Sequence, residues 1–318
     1  MRDVHKTTAE FLLGVLVLGC SAQAQVSTGI DSDHDGLSDE LEQGILEKFR
    51  PTFMISEDDC DLAPAAFKPG VQTPTPLASD GTIYGQVSPA ILGKSAAIEV
   101  HYYHLWKHDC GRIGHPLDAE HVAVLLANRT DPSEAAQWKA QYWYAAAHED
   151  TVCDASSAAR AEDLGAVEKG AQIWISDGKH ASFLQQGQCR RGCGADRCDR
   201  MRPLDPRALI NIGELRAPMN GSNWITSRQW PLAAKLGSDF RPEIVDRLAA
   251  REARDPMPAG AAGAPLRSTI GAGDASVEGL GLGYRQAGSA IGTGARKALK
   301  SLGAAYLATQ DALQKASE

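Results

Sequence analysis

The sequence predicts a mainly β protein, an antiparallel β-sandwich with helical decorations. Three observations lead there. The segment Ala96–Trp106 alternates Ile98, Val100 and Tyr102 against Glu99, His101 and Tyr103, the period of a strand with one face buried. Further short strand candidates at Thr82–Val87, Glu120–Ala127, Gln141–Ala147 and Ala171–Ile175 are separated by Gly, Pro, Asp and Asn clusters. No alternation of strand and crossover helix is present, so these strands bury one face against a second sheet rather than against helices. Helices are expected at Ser38–Arg50, Asp131–Trp138, Ser157–Leu164 and Arg241–Arg254.

The chain has 318 residues, 43% of them hydrophobic and 23% charged, ordinary values for a folded protein. A formal charge of -8 with no block of Lys or Arg argues against nucleic acid as a partner and points to cations instead.

The first 24 residues read as a signal peptide. Arg2 and Lys6 precede the apolar run Phe11–Gly19, too short for a bilayer span of about 20 residues. Two cleavage readings stand: Ala22-Gln-Ala24 is an ordinary A-x-A site, and Val17-Leu-Gly-Cys20 resembles a lipobox that would make Cys20 a lipid anchor. The expected location is therefore periplasmic, outer-membrane lipoprotein or secreted. Of 7 cysteines, export leaves Cys60, Cys110, Cys153, Cys189, Cys193 and Cys198, an even set suited to disulfides. Zinc held by Cys189, Cys193 and Cys198 is the rival reading.

Directly after the leader stands DSDHDGLSDELE, residues 31–42. Its spacing is that of an EF-hand loop: Asp31, Asp33 and Asp35 at positions 1, 3 and 5, Gly36 at the sharp turn, the Leu37 carbonyl at 7, Asp39 at 9 and Glu42 at 12 as bidentate ligand. Calcium takes six to eight hard oxygens, and without a cation these acids repel one another. Too little chain precedes the loop for an incoming helix, whereas Leu41, Ile45 and Phe49 mark an outgoing one that Pro51 stops. The loop resembles the solitary DxDxDGLxDxxE loops of exported bacterial proteins, dockerins and thrombospondin type 3 repeats. Residues 25–50 thus form a calcium loop and helix, 51–255 the sandwich, and 256–318 a Gly/Ala-rich linker and amphipathic helix.

Seven of the 9 histidines lie between His101 and His180. Within GHPLDAEHV, residues 114–122, Asp118 and Glu120 share a strand face and His115 on the preceding turn can close over it. One imidazole and two carboxylates make a second candidate site for a divalent cation. This segment is similar to the GHRHDWEHVV region of the necrosis- and ethylene-inducing peptide-like proteins, and to the DWEH strand of vacuolar protein sorting-associated proteins. Trp174–Phe183 looks like the vYVArGsHASY segment of the second group. The resemblance, over Glu99–Phe183, implies a β-sandwich and a divalent cation used in membrane damage. By position His115, Asp118 and Glu120 match ligands, Asp109 is the candidate for an upstream acidic ligand and His180 joins as a further candidate. Leu117 stands where the family has its second His, and Ala119 where it has Trp.

The expected function is an exported or cell-surface calcium-binding sandwich, non-catalytic, whose unidentified ligand is a membrane or cell-envelope component. The alternatives are a metal-dependent hydrolase, with His148 or His180 carrying protons, and a cytolysin-like protein. H-E-x-x-H, G-x-S-x-G and phosphate-loop motifs are missing from the sequence.

Overall fold

The computed structural model describes residues 29–240 apart from 94, 112–113, 129–130, 150–153 and 190–195. The leader, the Arg241–Arg254 helix, the Gly/Ala-rich tail, Cys153 and Cys193 lie outside the described residues.

The strands are β1 (Thr52–Ser56), β2 (Ile83–Leu92), β3 (Ser95–Asp109), β4 (His115–Ala127), β5 (Lys139–Ala145), β6 (Ser157–Arg160), β7 (Gln172–Ile175), β8 (Ser182–Phe183), β9 (Met201–Pro203), β10 (Leu209–Asn211), β11 (Gly213–Glu214) and β12 (Ala217–Pro218). One sheet runs β10-β2-β3-β4-β5-β6 and the facing sheet β8-β7-β1-β9, with β11 and β12 forming a small hairpin. Pairing is antiparallel except for β1 with β7 and β10 with β2. The architecture is the expected β-sandwich.

The even-numbered positions of β3 and β4 face the second sheet. Ile98, Val100, Tyr102 and Trp106 meet Val122, Val124 and Leu126 there, with Phe53, Ile55, Ile173 and Ile175 opposite. Helix α1 (Asp39–Lys48) closes this core with Leu41, Ile45, Leu46 and Phe49. Ser38 caps it by accepting the Leu41 N–H at 3.3 Å, and Phe49 ends it. The odd-numbered face, with Tyr103, Leu105 and Ala119, is covered instead by residues 224–240, which bring Trp224, Trp230 and Leu232. So the centre of the long sheet is buried on both faces, while its far end around Ile91 and Ser95 stays exposed.

Two expected helices are absent. Ser157–Leu164 begins as strand β6, because Ala158 and Ala159 fit the tight space beside Tyr144 and Trp143. Asp131–Trp138 keeps only the 3-10 turn Ala135–Gln137. Disulfides join Cys60 to Cys110 and Cys189 to Cys198. The second pair corrects the zinc alternative, since a disulfide leaves no thiolates to ligate.

Candidate functional site

The acidic loop folds as its spacing requires. His34 and Gly36 take left-handed backbone, with φ of 64° and 97°. Asp31 accepts the backbone N–H of His34 at 2.7 Å and of Gly36 at 3.1 Å, and Asp35 accepts that of Leu37 at 2.7 Å. The Asp39 N–H donates to the Ile30 carbonyl at 2.8 Å and closes the loop onto α1. Oxygens of Asp31, Asp33 and Asp35 lie within 4.8 Å of one another. Asp39 is turned toward Ser32, accepting its N–H at 2.8 Å and its hydroxyl at 2.6 Å. Leu37 packs partly buried against the main core.

These acids are buried and only partly satisfied. Asp33 is 5% exposed and Glu42 0%. Both oxygens of Asp33, Oδ2 of Asp35 and Oε1 of Glu42 are buried without a hydrogen-bond partner. Glu42 Oε2 accepts from the Asn211 amide at 3.2 Å, so β10 holds the carboxylate and leaves its other oxygen facing the loop. Burial, then repulsion from Asp33 and Asp35, pushes the Glu42 carboxyl up to about 9. Burial and the charge of Asp35 raise Asp33 to about 7, and burial raises Asp35 to about 6 against the Leu37 N–H bond that lowers it. Uncompensated buried carboxylates cost several kcal/mol unless a cation or proton meets them. A hard cation with several oxygen ligands fits this donor set.

The second candidate segment is organised differently. His115 is half exposed, with Nε2 3.6 Å from Asp109, whose carboxylate also binds the Lys179 ammonium at 3.0 Å. Leu117, at φ 61°, interrupts the extended backbone between His115 and Asp118. Asp118 Oδ2 pairs with His180 Nδ1 at 2.9 Å, and His180 Nε2 reaches Asp59 at 3.2 Å. The imidazole lies flat on Trp106, ring centroids 3.9 Å apart. Burial alone would push His180 down, but the bonds to Asp118 and Asp59 prevail and hold it at about 9, a buried imidazolium. Glu120 faces the Lys235 ammonium at 3.2 Å. Burial raises its carboxyl to about 7 against that positive charge.

Lys235 has a structural reason to be there. The β5 ladder ends at the Val122–Ala145 pair, leaving the first part of β4 without a neighbour on that side. Lys235 takes the Ala119 carbonyl there at 2.5 Å. Asp118 and Glu120 therefore each have a cationic partner from the chain itself, and a divalent ion would have to displace Lys235.

His104 Nε2 lies 2.7 Å from the Ser182 hydroxyl, while its Nδ1 accepts the Trp106 indole N–H at 2.8 Å. That bond places the ring proton on Nε2, so His104 donates to Ser182 and does not act as its base. His148 pairs with Asp196 at 2.8 Å, remote in sequence from any motif.

The sequence reading missed Asp59, Asn211, Lys235 and Asp239. No motif surrounds them, and each meets a partner distant in sequence: Asn211 from the short strand β10, Lys235 from the end of a 3-10 turn, and Asp59 and Asp239 from loops.

No family model matches the chain, and no curated protein matches it. Solved structures do. One described as NLPPya in complex with glucosamine shares 17% identity and a TM-score of 0.34, covering 66% of this chain and 89% of that one. The non-toxic HaNLP3 protein shares 15% and 0.35, over 63% and 93%. Necrosis and Ethylene inducing Protein 2 from the causal agent of cocoa's witches' broom disease shares 16% and 0.36, over 66% and 94%. These neighbours are necrosis- and ethylene-inducing peptide-like proteins, and identities and superpositions at this level assign no activity to this chain.

Proposed function

We propose that this chain is an exported, non-catalytic β-sandwich protein whose residues 31–42 bind one calcium ion as a structural clamp. One observation carries the reading: four carboxylate oxygens, from Asp33, Asp35 and Glu42, are buried in one loop without a hydrogen-bond partner. Asp31, Asp33, Asp35 and Glu42 would hold the ion directly. Asp39 stabilises the loop through Ser32. Because Glu42 lies on α1 and bonds Asn211 of β10, an ion there would tie the loop, the helix and the long sheet together. The disulfides support an oxidising compartment, where millimolar calcium keeps even a modest site filled.

The His115, Asp118 and Glu120 set is not part of this proposal, since His180 and Lys235 already meet the two acids. Calorimetric titration of the chelator-treated protein tests the calcium reading. One equivalent of calcium is expected, with magnesium much weaker, and Glu42→Gln should abolish the heat. Calcium uptake unchanged in Glu42→Gln would defeat it.

A further inference from the structure

The odd-numbered face of the long sheet carries another group of donors, on the opposite side from Asp118 and Glu120. His101 of β3 and His121 of β4 stack with ring centroids 5.6 Å apart, and residues 238–240 cross over them. Asp239 Oδ2 lies 2.9 Å from His121 Nε2 and 3.7 Å from His101 Nδ1. One ligand atom from each of the three lies within 4.8 Å of the others. The histidines are 3% and 0% exposed.

The hydrogen bonds orient these atoms. His101 Nε2 is 2.9 Å from Glu99 Oε1, so its proton goes to that carboxylate and the Nδ1 lone pair is left pointing toward Asp239. That Nδ1 is buried and has no hydrogen-bond partner. At 3.7 Å it is too far from Asp239 for a hydrogen bond even when protonated. The His101 lone pair thus faces, at 3.7 Å, the same carboxylate oxygen that His121 Nε2 reaches at 2.9 Å. Glu99 is itself fixed by the Asp239 backbone N–H at 2.6 Å and the Ser238 hydroxyl at 2.5 Å. A carboxylate bonded to the far nitrogen of an imidazole is the usual support for a metal-binding histidine.

We propose that His101 Nδ1, His121 Nε2 and Asp239 Oδ2 form a binding site for a first-row divalent metal of the zinc type, with Glu99 as the positioning residue for His101. Tetrahedral coordination at about 2.0–2.2 Å sets ligand atoms roughly 3.3–3.6 Å apart, and the separations of 2.9 and 3.7 Å bracket that range. Two imidazoles and one carboxylate suit zinc, copper or nickel, whereas calcium and magnesium prefer all-oxygen shells. Two ligands sit on adjacent strands and the third on the covering segment, so the metal fastens residues 238–240 to the sheet. Phe240 docks beside it against Ala97, Ala123, Leu125 and Tyr144.

The test uses the full exported chain, stripped of transition metals and saturated with calcium. Titration with zinc should show one tight equivalent, and cobalt should give the visible absorption of a tetrahedral nitrogen and oxygen site. Asp239→Asn should lose both signals, Glu99→Gln should weaken zinc binding about 10–100-fold, and Glu42→Gln should leave it unchanged. Folding of each variant is checked by circular dichroism. Absence of a tight zinc equivalent in the wild-type chain overturns the proposal, as does undiminished zinc and cobalt binding in folded Asp239→Asn and Glu99→Gln. A pH-dependent change in stability without metal uptake would mark the cluster as a proton-linked tie and also overturn it.

Discussion

Single residues decide the chemistry. His180 is the clearest case, because two carboxylates outweigh complete burial and keep it charged. A histidine whose folded pKa is raised contributes stability fully present below its unfolded value near 6.5 and lost as pH rises through about 9. Glu120, raised to about 7, and His148, raised by Asp196, also titrate near the start of that interval, so the comparison with a His180 variant is what isolates His180. With calcium saturating, chemical denaturation should show the protein losing roughly 2–3 kcal/mol across that interval. His180→Gln should be less stable at pH 7 and should lose most of the slope from there to pH 9. A wild-type slope retained in the variant would show that other groups titrate there.

Elements were legible where one physical rule dominated. Alternation located β3 and β4 and put Asp118 and Glu120 on a common face, and periodicity and proline located α1. His115, expected on a turn before the strand, instead begins β4 and stays half exposed, with left-handed backbone at Leu117 between it and Asp118. Ser157–Leu164 was misread because its alanines suit a helix in isolation, whereas the sheet edge beside Trp143 and Tyr144 selects them for size. Asp239 belongs to no pattern at all.

The docking of α1 is an element-scale claim with its own test. Leu46 rests on Gly85 of β2, where an added Cβ would overlap the leucine side chain, and Tyr102 donates to the Leu46 carbonyl at 3.0 Å. Gly85→Ala should cost about 1–3 kcal/mol by overpacking and should weaken calcium binding, since displacing α1 displaces Glu42. Leu46→Ala in the same chain should recover part of both losses. Strict additivity in that double-mutant cycle would contradict the contact.

At the scale of the whole molecule, the sandwich is held at its margins by ties that sheet pairing does not supply. Cys60–Cys110 spans 50 residues of sequence and fastens the Asp59 loop beside β3, a constraint worth on the order of 4 kcal/mol through the unfolded chain. Lys235 fastens the covering segment to the unpaired part of β4, and the acidic loop fastens α1. Among the described residues no helix is long and apolar enough to cross a membrane.

The central claim is that calcium completes the loop at residues 31–42. Its most direct test is the unfolding temperature of wild type and Glu42→Gln, each with excess calcium and with chelator. Calcium at a hundred times its dissociation constant adds about 2.7 kcal/mol, or roughly 5–10 °C for a domain of this size. The account predicts that rise in wild type and none in Glu42→Gln. It further predicts that the variant melts at or above wild type in chelator, because the substitution removes a buried, uncompensated carboxylate. An equal calcium-induced rise in both proteins, or none in wild type, would contradict it.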